Sequence, residues 1–106
     1  MKRIAIASEA NNINANLAYQ AGRCPWFCIL HPDGDISFVE NPGSAAPAAF
    51  GHHAFRFLKS QNINAVVARF FGHRFQKLSR ETDTNLIVPP PHMHKIKDII
   101  ESFNNS

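Results

Sequence analysis

Ile63-Asn64-Ala65-Val66-Val67-Ala68-Arg69-Phe70-Phe71-Gly72-His73-Arg74-Phe75-Gln76-Lys77-Leu78-Ser79-Arg80 decides the fold class of this 106-residue chain. Its first part, Ala65 to Ala68, is short, apolar and β-branched at its centre. That is the pattern of a strand covered on both faces. Gly72 breaks the run, and a polar, basic segment with helical spacing follows. A buried strand, a glycine turn and a helix start form the ligand-side corner of an α/β sheet. The stretch predicts a strand over Ala65–Phe70 and a helix over His73–Arg80.

On the N-terminal side, Phe50, Ala54, Phe57 and Leu58 recur at i, i+4, i+7 and i+8, predicting a helix that opens near Pro47. His52, Arg56 and Lys59 line its other face. On the C-terminal side, Asn85–Val88 reads as a strand, and Pro89-Pro90-Pro91 cannot continue a ladder. Ile96, Ile99, Ile100 and Phe103 then mark a helix over about Met93–Phe103.

The opening of the chain, Lys2–Ser8, alternates Ile4 and Ile6 with Ala5 and Ala7; both faces are apolar, so this strand belongs at the sheet centre. Pro25–His31 and Asp35–Glu40 flank the turn Pro32-Asp33-Gly34 and predict an antiparallel hairpin. The Asn-rich stretch Glu9–Arg23 has no clear period and reads as a long functional loop, with a short helical turn around Asn14–Tyr19 left open. The order is β-loop-β-β-α-β-α-β-α. Helical crossovers then make strands one, three, four and five parallel and strand two antiparallel.

The totals bound the function. The length fits one domain with one core. No apolar run approaches the roughly 20 residues of a membrane span. Ser8-Glu9 ends the first apolar run too early for a signal peptide, so a cytoplasmic protein is expected. Cys24 and Cys28 form neither a disulfide framework nor a C-x-x-C motif. Net charge is +3, and no acid stands between Glu40 and Glu81. That window holds Arg56, Lys59, Arg69, Arg74, Lys77 and Arg80 with His52, His53 and His73, and points to an anionic partner or to a solvated helix face. Enzyme motifs for phosphate loops, nucleophile elbows, zinc proteases and dinucleotides are missing, and the acids show no obvious pair.

The topology brings five connections to one edge of the sheet, where open α/β sheets place ligands. They offer Arg23, Cys24, Gly72, His73, His92 and His94. Arg23 beside Cys24 is a setting that favours thiolate. Thiolate, imidazole and cations suit a metal–sulfur species or another anion better than Mg²⁺ or Ca²⁺.

Met1 to Ala7, Gly22-Arg23-Cys24-Pro25-Trp26-Phe27, Glu40-Asn41-Pro42, and Val66-Val67-Ala68 followed by Gly72 occur in this order. Together they resemble the nitrogenase iron–molybdenum cofactor biosynthesis accessory family, the NifX/NifB-C-terminal type, over about residues 1 to 103. The resemblance implies a single three-layer α/β/α domain with a ribonuclease-H-like motif and a five-stranded mixed sheet of order 3-2-1-4-5, strand two antiparallel. It also implies a non-catalytic binding or carrier protein for an iron–molybdenum or iron–sulfur type cluster, with cofactor-biosynthesis proteins as partners. The expected metal ligands are Cys24, His73, His92 and His94; the expected anion contacts are Arg23, Arg69 and Gly72. The chain departs from the family pattern at Gln20, where the family often has His, at Cys24, where Ala is usual, and at His73, where Pro is common. The alternatives are a basic nucleic-acid-binding module, which the spacing of the Phe residues disfavours, and an interaction domain that has lost the ligand.

Overall fold

The computed structural model describes residues 2–104; Met1, which opens the first resembling motif, and the last two residues lie outside them. The elements are β1 (Ile4–Ser8), β2 (Trp26–Leu30), β3 (Ile36–Glu40), a 3₁₀ turn (Pro42–Ala45), α1 (Phe50–Ser60), β4 (Ala65–Val67), α2 (His73–Glu81), β5 (Asn85–Ile87) and α3 (Ile96–Asn104). The strands form one sheet of order β3-β2-β1-β4-β5. β2 is antiparallel to both neighbours, with Ile4 opposite Leu30 and Trp26 opposite Glu40. β4 is parallel to β1 and to β5, with Ala65 opposite Ile4 and Asn85. The mixed five-stranded sheet expected from the sequence is therefore the one that forms.

Side-chain alternation explains the three layers. Every residue of β1 is buried. Ala5, Ala7, Phe27, Ile29 and Val66 face α1 and α2, where they meet Ala54, Phe55, Leu58 and Phe75. Ile4, Ile6, Cys28, Leu30 and Val67 face α3 and meet Ile96, Ile99 and Ile100. A period of two in the strands sorts residues between the two helical layers.

Three local expectations are corrected. α1 begins at Phe50 rather than near Pro47, because Ala49 adopts a left-handed conformation (φ 54°) that ends the preceding loop. β4 stops at Val67 and Phe70 leaves the sheet, its N–H donating to the Tyr19 carbonyl at 2.7 Å. α3 starts at Ile96 rather than Met93; the Ile96 and Lys97 N–H groups donate to the Ala15 and Ile13 carbonyls.

Those last bonds belong to the Asn-rich segment, which forms no helix. It runs as a strap over the carboxyl edge of the sheet. Leu17 N–H bonds the His94 carbonyl (2.7 Å), Ala18 N–H the Ala7 carbonyl (2.8 Å) and Ala21 N–H the Phe70 carbonyl (3.3 Å). A segment without its own ladder satisfies its backbone by borrowing partners from every connection it crosses.

Candidate anion-binding site

The strap, the start of α1 and the start of α2 enclose a cavity of about 270 Å³. Gln20 and Gly22 line it from the strap, residues 49–51 from α1 and residues 72–75 from α2. Neither helix has a side-chain cap at its N-terminus, and neither carries an acid in its first turn. First-turn N–H groups are unmet within a helix and sit at the positive end of its dipole. Two such ends at one cavity make a cradle for an anion.

Basic side chains surround it. Arg74 and His73 are exposed on the cavity wall. The Arg23 guanidinium lies over the Phe50 ring, 4.1 Å from its centroid, and Phe50 lines the same cavity. This cation–π contact holds a mobile charge in place at the rim. No acidic residue lines the cavity.

A buried asparagine holds the walls together. Asn41 is 2% exposed. Its Nδ2 donates to the carbonyls of Cys24 (2.8 Å), Gly22 (3.2 Å) and Ala21 (3.5 Å), and its Oδ1 accepts from Gly43 N–H (2.8 Å). The strap is thereby tied to the turn that leads into α1. Gly43 and Gly22 make the approach possible. A Cβ on Gly43 would lie 2.5 Å from the Phe50 carbonyl oxygen and 2.8 Å from that of Gly22. A Cβ on Gly22 would lie 3.0 Å from the Phe50 ring.

The expectation of a Cys24 thiolate is overturned. Cys24 is 3% exposed and its Sγ donates to the Ala21 carbonyl at 3.4 Å. Burial pushes its pKa from 9.0 to about 12, against the smaller lowering effect of the Asn41 side chain. Burial raises Cys28 to about 12 as well. Both thiols are free and buried. Arg23, next in sequence, turns outward onto Phe50 and leaves the thiol in the apolar layer.

A pH dependence follows. The folded chain holds both thiols protonated to a higher pH than the unfolded chain does, so their stabilising contribution is complete below about pH 9 and is lost as pH rises toward 12. Each thiol is expected to add a slope of about −1.4 kcal/mol per pH unit to unfolding stability in that window. Urea unfolding across pH 10 to 11 should show a slope that is shallower by that amount in Cys28→Ala. An identical slope in the variant would contradict the assignment.

Arg69 is also employed elsewhere. Its Nη1 donates to the carbonyls of Pro89 (2.8 Å) and Pro90 (3.1 Å), and its Nη2 to those of Pro91 (3.4 Å) and Met93. The Met93 N–H reaches the Pro90 carbonyl at 3.0 Å, and the guanidinium gathers that carbonyl together with its neighbours. Arg69 thus clamps the β5–α3 loop instead of reaching the cradle. His94 lines a different cavity with Asn16, Leu17, Arg69 and Lys95, and His92 is exposed on the same loop. Among the described residues, no group of three or more His, Cys, Asp or Glu is positioned to hold a metal ion. The structure therefore brings Arg23, Gly72 and His73 to one site and leaves Cys24, Arg69, His92 and His94 out of it.

Three contributors were not legible in advance. Arg74 was hidden among the basic residues of its window. The start of α1 carries no cap residue that would announce it. Asn41 had a faint signal, an Asn-Pro pair at a strand end, which is helix- and turn-starting chemistry.

The dinitrogenase iron-molybdenum cofactor family matches residues 2–106. No curated protein matches the chain. Among solved structures, the apo form of the orange protein from Desulfovibrio gigas superposes with a TM-score of 0.87 at 14% identity, covering 99% of this chain and 88% of that one. A Thermotoga protein assigned as a NifB protein of the DUF35 family superposes with a TM-score of 0.78 at 19% identity, covering 100% and 90%. At these identities the likeness is one of fold.

Proposed function

Because the chain belongs to the dinitrogenase iron–molybdenum cofactor family, we propose that it binds and carries an iron–molybdenum cofactor or a related anionic metal–sulfur cluster without catalysing a reaction on it. The observation that carries this reading is the meeting of two uncapped helix N-termini at an acid-free cavity ringed by Arg23, His73 and Arg74. Backbone N–H groups and guanidinium donors stabilise negative charge, and the His73 imidazole is the one metal-type donor on the wall.

A sparse ligand set suits cargo. Structural metal sites are closed by four protein ligands and hold their metal for the life of the fold. A cluster held by one imidazole and a field of dipoles is exchanged more readily. The two free thiols stay reduced in the cytoplasm, where this reading places the protein. Among the described residues, no helix is long and apolar enough to cross a membrane.

The rival readings have less support. Phe55, Phe71 and Phe75 are buried and offer no stacking surface to nucleic acid. The loop edge keeps an open cavity, where a domain that had lost its ligand would be expected to fill it.

Anaerobic reconstitution with iron, molybdate and sulfide, followed by metal analysis, tests the proposal. The unaltered chain should retain metal above background. His73→Ala and Arg74→Glu should each lower retention by about tenfold or more, the value of one charge-assisted or coordinating contact. Cys24→Ala should leave retention unchanged. Background metal in the unaltered chain, or full retention in both His73→Ala and Arg74→Glu, would overturn it.

A further inference from the structure

His73 and Arg74 line a second cavity besides the cradle, so the two are contiguous. The second holds about 320 Å³ and lies between α1 and α2. His52 comes to it from α1, and Lys77, Leu78 and Glu81 from α2. Arg74 and Lys77 are exposed, Leu78 is half-buried at the floor, and Glu81 is the one acid on the wall. The groove is the surface expression of the acid-free window: Glu81 is the first acid after Glu40.

A second feature adjoins the cradle through the strap. Tyr19 and Phe70 stack with ring centroids 5.6 Å apart and planes 10° from parallel. They are 66% and 42% exposed. The Phe70 N–H bond to the Tyr19 carbonyl fixes the pair. Gln20, next to Tyr19 in sequence, and Gly72, two residues after Phe70, belong to the cradle wall. Exposed aromatics beside arginines are the composition of interface anchors, and a solvated stack this open is otherwise a cost.

We propose that the α1–α2 groove and the Tyr19–Phe70 stack form one docking surface for an acidic segment of a partner protein, which lies along His52, Arg74 and Lys77 and covers the mouth of the cradle. Charge complementarity selects the occupant: cations converge on an aliphatic floor, and one acid stands against them. Nucleic acid fits less well, because Phe55, Phe71 and Phe75 of the basic window are buried and no Phe, Tyr or Trp lines the groove itself. The surface rests on the cradle being the cargo site. A partner seated there shields cargo from water during transfer, and electrostatic steering brings the two together quickly.

The test uses the full chain and a fluorescein-labelled, glutamate-rich peptide carrying one leucine, read by anisotropy. Affinity should fall as salt rises, and Lys77→Glu should weaken it by about tenfold. Lys97→Glu changes net charge equally but lies on α3, across the sheet, and should leave affinity unchanged. Tyr19→Ser with Phe70→Ser should weaken it too. Absence of peptide binding, equal losses in Lys77→Glu and Lys97→Glu, or tighter binding of an RNA oligomer of equal charge would overturn the proposal. Metal retention measured on Lys77→Glu separates the two readings: Lys77 lines the groove and not the cradle, so retention should match the unaltered chain whether or not the peptide binds.

Discussion

Asn41→Asp is expected to lower unfolding stability at neutral pH by about 4 kcal/mol, and Asn41→Ala by about 3 kcal/mol. The native amide donates to three carbonyls and accepts from the Gly43 N–H in a site closed to solvent. Alanine leaves those groups without the amide. Aspartate keeps the acceptor but aims a second oxygen at three carbonyl oxygens. Protonation relieves part of that clash, since a carboxylic acid donates one hydrogen bond. The carboxyl at position 41 would therefore have a raised pKa in the folded state, and its penalty should shrink as pH falls toward 4. Urea unfolding of both variants at pH 7 and pH 4.5 checks the size and the sign. An Asn41→Ala protein as stable as the original would show that the strap holds without its tie.

Gly43→Ala is the second large effect. A methyl group there would press on two backbone oxygens, 2.5 Å and 2.8 Å away, and on the Ala54 Cβ at 3.1 Å. Backbone cannot step aside as a flexible side chain can. The start of α1 and the strap must separate, at a cost of about 3 kcal/mol. Gly51 is the internal control: a Cβ there meets nothing within 4 Å, so Gly51→Ala should be neutral or stabilising by up to about 1 kcal/mol. Because the same separation opens the cradle, Gly43→Ala should also retain less metal at temperatures where it remains folded. Equal melting temperatures for the two alanine variants would refute the packing argument.

Both effects lie on contacts between segments distant in sequence, and the sequence was least readable there. The five strands, the three helices and the reversed β2 were visible because each depends on local periodicity and turn chemistry. Alternation in β1 sorted its residues correctly between the two faces. The i, i+3, i+4, i+7 spacing of Ile96 to Phe103 named the residues that α3 buries. The site was only half visible. Topology placed Arg23, Gly72 and His73 at the carboxyl edge, where the structure has them. It also offered Cys24, His92 and His94, and Arg69 was expected to contact the anion; Cys24 lies among apolar neighbours, Arg69 holds backbone carbonyls, His94 lines a different cavity and His92 is exposed on its loop.

The division has a physical cause. Hydrophobic pattern and chain order are properties of short windows, so Ile63 to Arg80 alone was enough to dictate a buried strand running into a helix at the ligand-side corner of an α/β sheet. Which charged or sulfur-bearing side chain faces a cavity depends on competition for partners, and the competitors arrive from elsewhere in the chain. Arg69 went to the proline carbonyls, Cys24 went under the strap, and Arg23 turned onto Phe50. The second wall of the cradle, the uncapped start of α1 with its left-handed Ala49, exists only because Asn41 and Gly43 draw that turn against the strap.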